Sequence, residues 1–127
     1  VLPRFIASAK RGEPIKIFGS GEQTRCFCYV TDTVEALVRL MNREAAKGEV
    51  FNIGSTEEIS MNQLARMTIE LLGSSSKVVH IPYEVAYAPG FEDMLRRKPS
   101  VEKLARITGF KPDTGLEEII RKTAANF

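Results

Sequence analysis

Ile15-Lys16-Ile17-Phe18-Gly19-Ser20-Gly21-Glu22-Gln23-Thr24-Arg25-Cys26-Phe27-Cys28-Tyr29-Val30 is the stretch on which the fold reading turns. Ile15 to Phe18 alternates apolar with polar residues, the period of a half-buried strand. Gly19-Ser20-Gly21-Glu22 is turn chemistry, and Cys26 to Val30 predicts a second strand. Gly19 and Gly21 begin like the G-x-G-x-x-G dinucleotide loop. Thr24 stands where the third glycine belongs, however, and a strand rather than a helix is predicted to follow. A pyrophosphate on such a loop needs a helix N-terminus, so the residues favour a tight turn between two strands.

Toward the N-terminus, Leu2, Phe5, Ile6 and Ala9 recur at helical spacing and predict a helix over Val1–Lys10, ended by Gly12 and Pro14. That helix opens with no capping residue before it, which raises the expectation that the chain is part of a longer protein. Toward the C-terminus, Asp32, or Thr31 before it, is placed to cap a helix with a buried stripe of Val34, Leu37, Val38 and Met41. Gly48 closes that helix, and Val50–Ile53 reads as a strand. Ser60 with Gln63 three residues on is a capping-box signature for a helix that runs to about Leu72 and stops at Gly73. Val78–Ile81 predicts a strand. Tyr83 to Lys98 shows no period, and a stretch of that kind is functional or disordered more often than it is a mere connection. Pro99-Ser100 opens a helix through Ile107, stopped by Gly109. Thr114 caps a last one carrying Leu116, Ile119, Ile120 and Thr123. Helices interleaved with short strands define the class as α/β or α+β, expected as a single lobe over residues 1–127.

The chain has 127 residues, 43% of them hydrophobic and 27% charged, a composition that can build one core and excludes disorder as a global description. The 18 Lys and Arg against 16 Asp and Glu leave a net charge of +2, which argues for neither nucleic acid nor a membrane surface as partner. No apolar run has the length of a membrane span, and no signal-peptide pattern is visible. Cys26 and Cys28 make neither a disulfide framework nor a metal site, so a reducing cytoplasm is the expected location.

Little in the chain suggests catalysis. The sole histidine, His80, lies in an apolar run and reads as a strand residue. Four residues after Tyr29, Tyr83 and Tyr87 stand Thr33, Tyr87 and Phe91, so no Tyr-x-x-x-Lys pair exists. The acidic pairs Glu57-Glu58, Glu92-Asp93 and Glu117-Glu118 read as solvated faces. Anion binding has better candidates. Arg25 follows the glycine turn, and arginine suits bidentate contact with phosphate; the plain alternative is a surface arginine at a strand end. Arg96-Arg97-Lys98 precedes a predicted helix start, where positive charge is poorly placed unless an anion relieves it; a solvated charge run is the alternative. Among the aromatic residues Phe18, Phe27, Tyr29, Tyr83, Tyr87 and Phe91, Phe18 stands beside the turn, where a ligand face fits, and Phe27 suits the core.

Taken in order, a series of segments resembles a known family. They are Leu2-Pro3-Arg4-Phe5-Ile6; Gly12 through Asp32; Val50-Phe51-Asn52-Ile53-Gly54; Arg96-Arg97-Lys98-Pro99-Ser100 with Lys103 and Gly109-Phe110-Lys111-Pro112; and Leu116-Glu117-Glu118-Ile119-Ile120. The series is similar to the C-terminal half of the extended short-chain dehydrogenases, the NAD-dependent nucleotide-sugar epimerases, dehydratases and decarboxylases. The resemblance implies a small lobe of helices and short strands that binds the nucleotide of the sugar substrate. NAD and the catalytic Tyr and Lys belong to an N-terminal Rossmann half that this chain does not match, so that half is an implied partner. Carried over by position, Arg25 and Arg97 resemble the two arginines on the substrate diphosphate. Phe18 resembles the aromatic residue beside the base pocket, and Ile17 and Gln23 lie near it. Asp32 looks structural. Relatives commonly carry an acid after the proline of the arginine segment, where this chain has Ser100, which is also able to cap a helix. Gly90-Phe91-Glu92-Asp93-Met94 resembles the 4-epimerase branch. The implied whole enzyme starts with hydride transfer from sugar C4 to NAD, on a UDP- or dTDP-sugar, with a UDP-glucose 4-epimerase-like reaction expected. A UDP-glucuronate decarboxylase or a dTDP-glucose 4,6-dehydratase is the alternative. This chain alone is expected to be inactive, to bind no metal and to supply no catalytic residue. A reading from another class is a non-catalytic binding module that pairs as a homodimer.

Overall fold

The computed structural model describes residues 1–86 and 93–127. Helix α1 spans Leu2–Arg11 and buries Leu2, Phe5, Ile6 and Ala9, the apolar stripe of its sequence. Gly12 ends it in the left-handed conformation, at φ 68°, with its N–H donated back to the helix. Strand β1 (Ile15–Phe18) follows, then β2 (Thr24–Cys26), helix α2 (Val30–Met41) and a 3₁₀ turn at Glu44–Ala46. Strand β3 (Glu58–Ser60) leads into α3 (Met61–Leu71). Then come β4 (Val78–Ile81), the single turn α4 (Tyr83–Ala86), α5 (Glu102–Thr108) and α6 (Leu116–Ala124). β1 pairs in parallel with β4, Ile15 opposite Val78 and Phe18 opposite Ile81, and β2 pairs with β3. The mixed α/β class follows from these elements.

The chain divides into two compact units. The first comprises Val1–Arg25, Ile59–Arg97 and Glu117–Phe127. Its core holds Ile6, Ile15, Ile17, Leu64 and Ile120, all essentially removed from solvent. Burial of side chains of this size stabilises by roughly 1.5–3 kcal/mol each. The turn after β1 is fastened from α3. Asn62 donates to Ser20 O (3.0 Å) and Glu22 Oε1 (2.6 Å), and its backbone N–H reaches Gly21 O (3.0 Å). His80, a strand residue as expected, contacts Asn62 Oδ1 at 2.8 Å through Nε2. α3 starts with the capping box read from the sequence, Ser60 accepting from Gln63 N–H while Gln63 accepts from Ser60 N–H.

The second unit comprises Cys26–Glu58 and Lys98–Leu116. Several sequence expectations are corrected here. The predicted second strand is displaced: β2 ends at Cys26, and the chain has turned into α2 by Val30. The predicted stripe of α2 is not buried. Val34, Leu37, Val38 and Met41 are 48–85% exposed, and Ala36 is the helix's buried residue. Helical periodicity marks which residues share a face, not whether that face is covered. Asp32 is no cap. Tyr29 occupies the N-cap, and the Asp32 carboxylate accepts from Thr114 N–H (3.1 Å) and from the Thr114 hydroxyl (2.9 Å). Val50–Ile53 joins no sheet. Lys103 Nζ donates to Val50 O (3.0 Å) and Glu49 Oε2 (2.6 Å) and lies 4.7 Å from the Phe51 ring centre. Its ammonium holds the Glu49 carboxyl below the usual range, first through the hydrogen bond and then through charge. Ser100 does not cap α5. Val101 is at the N-cap, and Ser100 O accepts from Asn52.

Among the described residues no helix is long and apolar enough to cross a membrane.

Candidate functional site

The first unit carries a cavity of about 300 Å³, the lower end of the range for small-molecule pockets. Ile17 and Phe18 from β1, Gln23 after the turn and Arg25 from β2 line it together with Tyr83 and Asp93. Val1, Arg4 and Phe5 from the start of the chain, with Lys16 and Met61, complete the wall. Four of the five residues expected from the sequence, Ile17, Phe18, Gln23 and Arg25, therefore meet at one hollow. Ile17 is fully buried and forms apolar floor, while Phe18 is half-buried at the strand end.

Why the hollow forms there is a local matter. β1 ends at Phe18, and Gly19 (φ 72°) and Gly21 (φ 77°) reverse the chain in conformations open to glycine. A methyl group on Gly19 would sit 2.3 Å from Tyr83 Cε2, and one on Gly21 would sit 2.2 Å from Asn62 Oδ1. The space beside both glycines is thus filled by side chains. The turn joins strand to strand and its open flanks hold Tyr83 and Asn62, so it does not fit the pyrophosphate of NAD, and no chemistry of that cofactor is assigned to these residues.

Gln23 is only 6% exposed, and its amide donates to Phe18 O (2.9 Å) and to the Tyr83 hydroxyl oxygen (3.0 Å). The Tyr83 hydroxyl donates to Asp93 Oδ2 (3.1 Å), and Asp93 Oδ1 accepts from Arg25 Nη2 (2.5 Å). Arg25 Nη1 donates to Thr24 O (2.7 Å) and Met94 O (2.8 Å). Asp93, read from the sequence as half of a solvated acidic pair, is instead bound into this chain, with a side chain 26% exposed. Its charge is matched by Arg25, so it is not placed as a general base.

Arg97 is exposed and is not among the described residues that line the cavity. Its segment is nonetheless tied to β2. Thr24 N–H donates to Leu95 O (2.8 Å), and Thr24 bridges Arg96 in parallel. Arg97 then stands one residue beyond the bridge, level with Arg25 along the backbone. Lys98, the third cation of the run, lies 3.4 Å from Glu58. Tyr87 and the Gly90–Glu92 part of the segment that resembles the 4-epimerase branch lie outside the described residues.

The sequence reading missed Arg4, Lys16 and Asp93, and it noted Tyr83 only as an aromatic surface. Lys16 carried a signal, since it is the polar member of an alternating strand that ends at the turn. Arg4 carried none beyond its place on the exposed side of α1. Chemically the hollow offers an aromatic ring from Phe18, an apolar floor from Ile17 and cations on its wall from Arg4, Lys16 and Arg25.

The model of the NAD-dependent epimerase/dehydratase family matches residues 1–54. Over that segment the chain is similar to this family. It is 44% identical over 97% of its length to a UDP-N-acetyl-alpha-D-glucosaminuronate decarboxylase of Bacillus cytotoxicus, of which it covers 38%. Against UDP-glucuronic acid decarboxylase 1 of Xenopus tropicalis it is 37% identical over its whole length, covering 28% of that protein. Among solved structures it superposes with a TM-score of 0.83 and 31% identity on the UDP-glucose 4-epimerase of Thermotoga maritima with UDP-glucose, over 95% of this chain and 37% of that one. The chain thus spans about a third of the length of these epimerase/dehydratase relatives.

Proposed function

We propose that this chain holds the nucleotide diphosphate of a UDP- or dTDP-sugar and acts as the substrate-binding lobe of an NAD-dependent nucleotide-sugar enzyme. The observation that carries the reading is an anchored arginine, Arg25, on the wall of the hollow that Ile17, Phe18 and Gln23 line. Phe18 offers its ring to the base, Ile17 its apolar floor, and Gln23 holds the Phe18 carbonyl. Arg25 takes the diphosphate, and Arg97, level with it on the neighbouring segment, is the second cation. NAD and the reacting groups belong to the rest of the enzyme, which is this lobe's partner. The lobe contributes binding energy remote from the reacting carbon, and so positions the sugar.

For the whole protein's reaction, decarboxylation of a UDP-uronate is the reading we favour, because a decarboxylase is 44% identical to this chain and the 4-epimerase 31%. The 4-epimerase reading rests on Gly90–Met94, most of which lies outside the described residues.

Titration calorimetry of the chain with UDP, dTDP and uridine tests the binding role. The diphosphates should bind at least about tenfold more tightly than uridine, since a charge-assisted contact contributes about 1.5–3 kcal/mol. The advantage should shrink as salt rises. Equal affinity for UDP and uridine contradicts the proposal.

A further inference from the structure

Arginine has five N–H donors in a fixed planar fork. Three of those of Arg25 are committed, two to the Thr24 and Met94 carbonyls and one to Asp93. Among the described residues no partner takes the other two, which are left for a ligand. Asp93 is itself held, because its second oxygen accepts from the Tyr83 hydroxyl, and that hydroxyl accepts from Gln23, whose amide also donates to the Phe18 carbonyl. A single run of hydrogen bonds therefore joins the base side of the hollow to its anion side, its donors leading outward from the Gln23 amide and converging with Arg25 on the Asp93 carboxylate. The ring of Tyr83 lies against Gly19, where no other residue leaves it room.

We infer that Tyr83 and Asp93 are positioning residues for the anion site: they hold the Arg25 fork in its ligand-ready place and touch the diphosphate only through it. The inference rests on the reading of the hollow as a nucleotide-diphosphate site. Its physical basis is preorganisation. A loose arginine loses its rotamer freedom when it binds, whereas one already fixed by carbonyls and a carboxylate has lost it on folding. Asp93 does not simply cancel Arg25, because the two carbonyls hold the fork independently of charge and leave two donors uncommitted.

The test is a double-mutant cycle read by UDP and uridine affinity. Tyr83→Phe keeps the ring on Gly19 and removes only the hydroxyl, so the fold is retained, as an unchanged melting temperature within a few degrees verifies. In the wild-type background it should weaken UDP about three- to tenfold, the effect of one hydrogen bond, and leave uridine unchanged. In the Arg25→Ala background the same substitution should have no effect on UDP, because the arginine it serves is gone. Equal losses in both backgrounds, a loss shared by uridine, or no loss at all would each overturn the inference. Arg25→Ala alone leaving UDP affinity intact would overturn the underlying reading of the hollow instead.

Discussion

Arg25→Ala should weaken UDP binding about 10- to 150-fold and leave uridine binding within about twofold of wild type. The magnitude follows from losing a cation that makes charge-assisted bonds to a doubly anionic group, each such bond contributing about 1.5–3 kcal/mol. The upper end is favoured, because Asp93 then keeps its charge with no arginine beside it and repels the ligand. Stability should fall as well. The Arg25 and Asp93 side chains are only 19% and 26% exposed, so Arg25→Ala removes the cation from a mostly buried carboxylate and a donor from the Thr24 and Met94 carbonyls. Arg25→Lys should fall between the two, since an ammonium keeps the charge but not the fork that reaches two carbonyls, Asp93 and a ligand together. Calorimetric titration of both variants beside the wild type checks this order. A UDP loss matched by an equal uridine loss would mean that Arg25 maintains the hollow and does not bind the anion.

Gly19→Ala is the second large effect. Two costs combine: a left-handed backbone at φ 72° with a side chain, and a methyl group 2.3 Å from the Tyr83 ring. Together they amount to about 2–4 kcal/mol. Gly48 is the internal control. It has the same φ of 72° but nothing within 4 Å of the added methyl group, so Gly48→Ala isolates the backbone cost. Urea denaturation should show Gly19→Ala clearly more destabilising than Gly48→Ala. It should also weaken UDP, because the ring can relieve the clash only by swinging away from Gln23 and Asp93. Equal destabilisation by the two alanines would show that the Tyr83 contact carries no weight.

These two sites also show how much was legible in the sequence. The strand Ile15–Phe18, the turn at Gly19 and Gly21 and the capping box at Ser60 are local patterns, and local patterns survive into the fold. Ile17, Phe18, Gln23 and Arg25 were legible as a group because they lie within nine residues of one another around that turn. Asp93 was not. It lies 68 residues from Arg25, in a stretch without period, and only the folded chain brings the two together. Asp32 misled for the same reason, since its partner is Thr114, 82 residues on, and an acid near a helix start looks like a cap when that partner is invisible. The α2 stripe misled differently. Val34, Leu37, Val38 and Met41 do share a face, but periodicity carries no information on what covers it.

Whether the hollow beside the glycine turn takes a nucleotide diphosphate is read out residue by residue in amide chemical-shift mapping of the chain with UDP. UDP should shift the amides of Phe18, Gln23, Arg25 and Arg97, with uridine moving only the first two. Saturating UDP that leaves these four in place would contradict nucleotide binding there.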